Sequence, residues 1–392
     1  MKLSDYKEEV YKCSGCGLCQ GVCPVYLAIK KECAVSRGKF KLLNAIINGD
    51  AKYSKKVLEF MDLCLHCNKC TNFCPSEINA QKIIETAQAD MLNDGIINRP
   101  KLLLARTLAN KTLMRIVKFL VNIVRNFKLL EMINLFNCPN NKLARGFLKI
   151  KIKPEKANIS DEKTIKALYF KGCINNYINP SGQNAVKNLL MGTNVEVIEA
   201  DFNCCGLPLK TTGDFENFKK VIKENLQIIA KMEFDYLIFD CTSCKSTFLG
   251  YADFLEGEEK EQALKLSEKI VSIYELLDII NYAPNAPKEK VTVHYPCHID
   301  EKEKSAIKKI LKNFALVESE NADTCCGASG SFILHNNKIS KEISSKKAEG
   351  IIKTGAEVVV TTCPSCVLGL KHGLISQKAD TEVLQLSEFL CK

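Results

Sequence analysis

The residues in this chain with chemistry to offer are its cysteines, 21 of them in 392 residues. Two stretches, DFNCCGLPL and TCCGASG, set Cys204 beside Cys205 and Cys325 beside Cys326, each pair followed by glycine. Neighbouring Cα atoms sit about 3.8 Å apart, closer than the roughly 4.4–6.8 Å that an unstrained disulfide spans. A disulfide framework also suits neither the length nor the odd count. Most of the cysteines cluster at repeated spacings, and that pattern points to metal ligation.

Near the N-terminus, CSGCGLCQGVCP supplies Cys13, Cys16, Cys19 and Cys23, and CLHCNKCTNFCP supplies Cys64, Cys67, Cys70 and Cys74. Both obey C-x2-C-x2-C-x3-C-P. Three thiolates on a tight loop hold three irons of one [4Fe–4S] cube, and in two-cluster proteins the fourth cysteine of each motif ligates the other cube. The expected sets are therefore Cys13, Cys16, Cys19 and Cys74 for one cubane cluster, and Cys64, Cys67, Cys70 and Cys23 for the second. Closed zinc sites would leave the x3-C-P tail unexplained. His66, inside the second motif, is expected to sit near the cluster and tune it through polarity rather than ligate it. Cys33, Cys138 and Cys391 lie outside every motif and read as structural.

Ten further cysteines follow one plan twice, C-x(n)-CCG-x(n)-C-x2-C. The first copy is Cys173, Cys204, Cys205, Cys241 and Cys244, with gaps of 30 and 35 residues; the second is Cys297, Cys325, Cys326, Cys363 and Cys366, with gaps of 27 and 36. At a strand end a turn can bring both neighbouring thiolates to one metal site, and Gly206 and Gly327 then let the backbone bend without a Cβ obstructing that site. Five thiolates are one more than a cubane needs. An unusual cluster or a bridging thiolate follows, with a zinc site and a spare cysteine as the alternative.

The elements that must position these groups are legible around them. The linker between Cys23 and Cys64 contains GKFKLLNAIINGD and SKKVLEFMDLC, which have the spacing of two short helices. In the C-terminal two thirds, ALYF, YLIF, VTV and EVVVTT each run into a cysteine and are followed by a helical stretch. That alternation predicts βαβ units and parallel sheets, with the cysteines beyond the carboxyl ends of the strands. Residues 97–153 hold thirteen Lys or Arg against one acid, Glu131, in a chain whose net charge is +10. Arg106, Lys111, Arg115, Lys118, Arg125 and Lys128 alternate with apolar residues at helical intervals. This segment suits a membrane interface, a partner, or the protein's own core with the cations as a solvated face. Nucleic acid is not expected, since no recognition motif accompanies the charge.

The fold expected is α+β overall: a helical ferredoxin-like domain with two [4Fe–4S] clusters over 1–96, a basic amphipathic connector over 97–159, and two α/β lobes with parallel sheets over 160–285 and 286–392. The composition, 46% hydrophobic and 26% charged, suits a soluble chain of two or three domains. The charged start and the lack of an apolar run near the roughly 18 residues of a membrane span predict a cytoplasmic protein, or one peripheral to the cytoplasmic membrane face.

GCINNYINP, CCGLP, YPCH and CCGASGSF make the C-terminal part resemble the cysteine-rich CCG domains of heterodisulfide reductases and their relatives. With the two ferredoxin motifs in front, nearly the whole chain is similar to the iron–sulfur subunits of anaerobic glycerol-3-phosphate dehydrogenase and of glycolate and lactate oxidases, and to the CCG-bearing subunit of heterodisulfide reductase. The resemblance implies a non-cubane [4Fe–4S] cluster at each five-cysteine set, and all ten cysteines are retained. It implies an electron-transfer subunit fed by a flavin-dependent dehydrogenase and delivering to a membrane quinone. Neither G-x-G-x-x-G nor a P-loop is present, so no flavin is expected on this chain. The alternative it implies is a thiol–disulfide reductase acting on a small disulfide, with Cys205, Cys326 and His298 as candidate catalytic residues. His294 and His298 flank Cys297 as candidate proton donors.

Overall fold

The computed structural model describes residues 2–126, 164–284 and 289–392. In the N-terminal part each cysteine loop turns on two left-handed residues at matching positions, Gly15 and Gly17 in the first loop, His66 and Asn68 in the second. Each loop then enters a short helix, Leu18–Val22 or Lys69–Asn72, and these two helices pack together. Pro24 opens the helix Pro24–Ile29, a position where its missing N–H costs nothing. The two linker helices expected from periodicity are present as Ser36–Ile47 and Lys55–Met61. Their apolar faces meet the helix Ala80–Asn93 in a core of Phe40, Leu43, Met61, Ile83 and Met91.

Two four-stranded parallel sheets follow. The first comprises β1 (Ile165–Phe170), β2 (Val195–Glu199), β3 (Tyr236–Phe239) and β4 (Ile270–Ser272), in the order β2-β1-β3-β4. The second comprises β5 (Lys290–His294), β6 (Ala315–Leu316), β7 (Val358–Thr361) and β8 (Glu382–Gln385), in the equivalent order β6-β5-β7-β8. The central strands, such as YLIF of β3 and VVVT of β7, are apolar on both faces, as helix-covered parallel strands must be. Tyr169 and Ile238 of the first sheet share one continuous core with Val293 and Val360 of the second, filled in by Leu277, Ile307 and Phe389. The two lobes are thus fused through apolar packing. A polar pin accompanies it: the buried Asp240 carboxylate accepts from Tyr274 Oη at 2.7 Å, Gln385 Nε2 at 2.7 Å and Ser387 Oγ at 2.8 Å.

The connector forms helices Arg99–Ala109 and Lys111–Asn126 as far as it is described. Its cations face the protein. Lys101 pairs with Asp62, Arg106 with Asp214, and both Lys111 and Arg115 with Asp201, while Lys118 donates to the Asn176 carbonyl. Ala105 and Ala109 enter the core of the first lobe. Leu103 and Phe119, by contrast, are 68% and 65% exposed, with Leu113, Ile116 and Leu120 exposed beside them. The connector therefore buries Ala105, Ala109 and Met114 on the protein, ties its cations to neighbouring acids, and leaves a second set of apolar side chains facing outward. Lys128 and Cys138 lie outside the described residues, as does the rest of 127–163. Among the described residues no helix is long and apolar enough to cross a membrane.

Candidate metal centres

Cys13, Cys16, Cys19 and Cys74 line one small cavity between the two cysteine loops, and Cys23, Cys64, Cys67 and Cys70 line a second. The helical crossing that pairs the loops carries each fourth cysteine to the other loop's cavity; Cys70 borders both. Backbone N–H groups point at the sulfurs, His66 to Cys64 at 3.3 Å and Tyr26 to Cys23 at 3.5 Å. Burial pushes the Cys64 thiol up to about 12, the behaviour of a thiol that needs a soft cation to become a thiolate. His66 is buried, and burial lowers its pKa; its Nδ1 lies 3.4 Å from the Glu85 carboxylate. Its left-handed backbone and this contact give it a place in the loop other than as a ligand.

All ten cysteines of the two repeats, joined by Cys67, line a single cavity of about 300 Å³. They reach it from the carboxyl ends of the strands, as the sequence pattern predicts. Cys173 and Cys204 approach to 3.8 Å and Cys326 and Cys366 to 3.3 Å. Hydrogen bonds from neighbouring thiols hold four sulfurs low: Cys205 through Cys204 and Cys244, Cys326 through Cys325 and Cys366, Cys363 through Cys241 and Cys366, Cys297 through Cys325 and Cys67. Two of these links cross boundaries, Cys241 to Cys363 between the lobes and Cys67 to Cys297 between the N-terminal part and the second lobe.

The glycines act differently from the expectation. Gly206 and Gly327 are left-handed, at φ +86° and +79°, and their N–H groups donate back to Cys204 Sγ at 3.5 Å and Cys325 Sγ at 3.4 Å. A Cβ at Gly206 would stand 2.5 Å from the Phe218 ring, and one at Gly327 3.0 Å from the Ser340 carbonyl. The space they keep clear belongs to the helices behind them, Phe215–Ile229 and Asn337–Lys353.

Of the flanking histidines, His294 lies with Cys326 and Cys366 in a group whose ligand atoms are within 4.8 Å of one another. Its Nδ1 faces the Ala322 carbonyl at 3.2 Å. His298 lines the shared cavity. Cys33 borders a separate cavity near the second loop, and Cys391 Sγ donates to the Ala185 carbonyl at 3.4 Å. The sequence motifs give no sign of the other groups around the sulfurs: Ser243, whose Oγ is 3.5 Å from Cys363 Sγ, and the buried lysines Lys39 and Lys347. Thiolate donors converging in small cavities fit iron–sulfur clusters, which soft ligands select.

Similarity to known proteins agrees with this geometry. A 4Fe-4S dicluster domain model matches residues 9–78, and a cysteine-rich domain model matches twice, at 167–249 and 291–371. The probable glycolate oxidase iron-sulfur subunit of Bacillus subtilis is 24% identical, over 93% of this chain and 89% of that protein. The glycolate oxidase iron-sulfur subunit of Escherichia coli is 22% identical, over 90% and 88%. A subunit of the fumarate reductase (CoM/CoB) of Methanothermobacter marburgensis is 24% identical, over the whole of this chain and 74% of that one. With an N-terminal dicluster domain leading into two cysteine-rich repeats, the chain belongs to the CCG-domain iron–sulfur proteins.

Proposed function

We propose that the chain is the electron-transfer subunit of an anaerobic respiratory oxidoreductase. It takes electrons from a flavin-dependent dehydrogenase of the glycerol 3-phosphate, glycolate or lactate type and passes them toward a membrane quinone. The observation that carries this reading is the meeting of Cys67 with all ten repeat cysteines on one cavity, which makes the ferredoxin-type and cysteine-rich sites contiguous. Two cubane clusters at the N-terminal sets and two non-cubane clusters at the five-cysteine sets are the cofactors proposed. Such clusters, when bound, carry one electron at a time. The chain's residues supply the path and its insulation: Cys67 and Cys297 bring two sites together, Cys241 and Cys363 bring the lobes together, and Leu104, Leu108, Ile174 and Ile333 wall the cavity against water. Two relatives named as glycolate oxidase iron-sulfur subunits support a hydroxy-acid dehydrogenase as partner. On this reading the chain works in the cytoplasm, at the membrane face.

Iron and acid-labile sulfide content of anaerobically purified protein, with EPR of both redox states, tests it. Near ~16 irons per chain, four per centre, is expected. Near ~8 irons, confined to the first two motifs, would overturn the assignment of the cysteine-rich sites.

A second reading is favoured by one observation: the ten thiols open onto a shared space of about 300 Å³ rather than two sealed sites. A small disulfide fits there, and its reduction takes two electrons and two protons to give two thiols. Cys205 and Cys326 would then be the reacting sites and His298 a proton donor. Loss of disulfide turnover in Cys205→Ser is expected on this reading, and retained turnover excludes it.

A further inference from the structure

Burying an ammonium group is costly unless a negative charge is near. Three described lysines are buried: Lys39, Lys245 and Lys347. Lys245 is satisfied by carboxylates, with Glu275, Asp300 and Glu303 around it. Lys39 and Lys347, 1% and 2% exposed, form no ion pair with a carboxylate among the described residues.

What surrounds these two lysines is sulfur. Lys39 Nζ donates to the Ala34 carbonyl at 2.6 Å and borders the cavity of Cys23, Cys64, Cys67 and Cys70. Burial lowers its pKa, and the groups that oppose this are the sulfurs of Cys64, Cys23 and Cys70, then Cys33, once ionised as cluster ligands. Lys347 Nζ donates to the carbonyls of Asn321 and Ala322, and Ala322 O also faces the ring of His294, beside Cys326 and Cys366. Burial lowers the pKa of Lys347 to about 8, which leaves it mostly charged at neutral pH, and the groups that oppose the shift are Cys326, Cys297 and Cys366, ahead of Asp323.

Cations near the two companion sites are matched by carboxylates: Lys171, which lines the shared cavity beside Cys173, is ion-paired with Glu199 at 2.9 Å. Gly206 abuts Phe218, and Gly327 abuts Ser340; seven residues beyond each contact stand Asn225 and Lys347. Asn225 is therefore the counterpart of Lys347 in the first repeat, and it is neutral. Its Nδ2 donates to the Cys204 carbonyl at 3.0 Å, and Tyr251 Oη donates to the Cys205 carbonyl at 2.9 Å. At the Cys13, Cys16, Cys19 and Cys74 site, Arg37 reaches the Gly15 carbonyl at 3.2 Å but is ion-paired with Glu32 at 2.6 Å.

We infer that Lys39 and Lys347 are fixed countercharges for the two iron–sulfur sites they face, and hold those sites at higher reduction potential than their companions. The inference rests on the iron–sulfur reading above. Adding an electron makes a thiolate-ligated cluster more negative by one charge, and a cation in a low-dielectric interior favours that state. The two cation-bearing sites also meet each other, through Cys67 and Cys297. Electrons collect at this junction, with the Cys13 site and the first cysteine-rich site flanking it at lower potential.

EPR-monitored redox titration of the full chain tests this, with Cys16→Ser and Cys205→Ser assigning signals to the two companion sites. Lys39→Met and Lys347→Met are each expected to lower the midpoint potential of the site they face and leave the others in place; Lys347→Arg, which keeps the charge, is expected to restore it. Full iron content with unmoved potentials overturns the inference and leaves the iron–sulfur reading intact. Native protein without iron at the cysteine-rich sites overturns both. Where a Met variant does not retain its cluster, the native order decides: the Lys347 site above the Asn225 site supports the inference, and the reverse order or equal potentials overturns it.

Discussion

His298 Nε2 lies 2.8 Å from the backbone carbonyl of His66, a residue 232 positions away in the chain. A carbonyl only accepts, so Nε2 carries a proton there, while Nδ1 lies 3.3 Å from the Ser243 hydroxyl. One imidazole on the second repeat thereby touches both the second ferredoxin-type loop and the first repeat. Ser243 in turn reaches Cys363 Sγ.

Replacing this ring should loosen the junction without removing a thiolate. His298→Asn, too short to span both contacts, is expected to cost about 1 kcal/mol and to raise amide exchange across residues 64–70 while iron content stays full. His298→Gln, with its longer amide, should recover part of the protection. Unchanged exchange in the Asn variant would show that the loop is held by its own packing.

Gly213 marks where the helix Ala80–Asn93 rests on the first repeat. Its φ is +77°, and an added Cβ would stand 2.4 Å from the Ala89 nitrogen. Gly257 is also left-handed, at φ +56°, but has open space around it. Gly257→Ala should cost only the backbone strain, about 1–2 kcal/mol. Gly213→Ala adds a backbone clash and should lower the thermal midpoint clearly further. Equal midpoints for the two variants would mean the interface gives way at no cost.

The cysteine spacings made the sites legible because a ligand loop is a local object: three thiolates, two left-handed residues and a proline within twelve positions. The parallel sheets were legible for a similar reason, since each short apolar run ends at a cysteine and starts a helix. The docking was not. Nothing in CLHCNKC or YPCH says that Cys67 meets Cys297, because that contact depends on how separately folded parts pack. The connector shows the same limit. Its period of cations and apolar residues fits either face inward, and it is Asp62, Asp201 and Asp214, outside the segment, that draw its cations toward the protein. Lys39 and Lys347 were hidden because a buried lysine looks like a surface one until its neighbours are known.

Glu303 gives a pH dependence with a definite sign. Its buried carboxyl hydrogen-bonds Thr242 and shares Lys245 with two other acids, and burial raises its pKa from 4.5 to about 7. Between those values the folded state holds a proton that the unfolded state has lost, so stability falls as pH rises through this window. At about 1.4 kcal/mol per pH unit the full effect is roughly 3 kcal/mol. Glu303→Gln keeps a neutral hydrogen-bonding group there, so its thermal midpoint relative to the native chain should improve from pH 5 to pH 8. A constant difference across that range would mean that Lys245 keeps Glu303 ionised throughout.

The outward apolar residues of the connector alter what membrane association should look like. A basic helix lying on anionic lipid through its charges is released by salt, because exposed cations are screened. Here Arg106, Lys111 and Arg115 are committed to Asp214 and Asp201, and the outward face offers Leu113, Ile116, Phe119 and Leu120. Binding through that face is driven by apolar area, about 25 cal/mol per Å² removed from water. Sedimentation of the full chain with phosphatidylglycerol–phosphatidylethanolamine vesicles should therefore persist at about 0.5 M salt, where the screening length is only a few ångströms, and be lost in Phe119→Glu. Release by salt with Phe119→Glu still binding would assign the attraction to cations elsewhere in the chain. Absence of binding at any salt would leave the apolar face to a protein partner, where the same Phe119→Glu change should block assembly with the dehydrogenase.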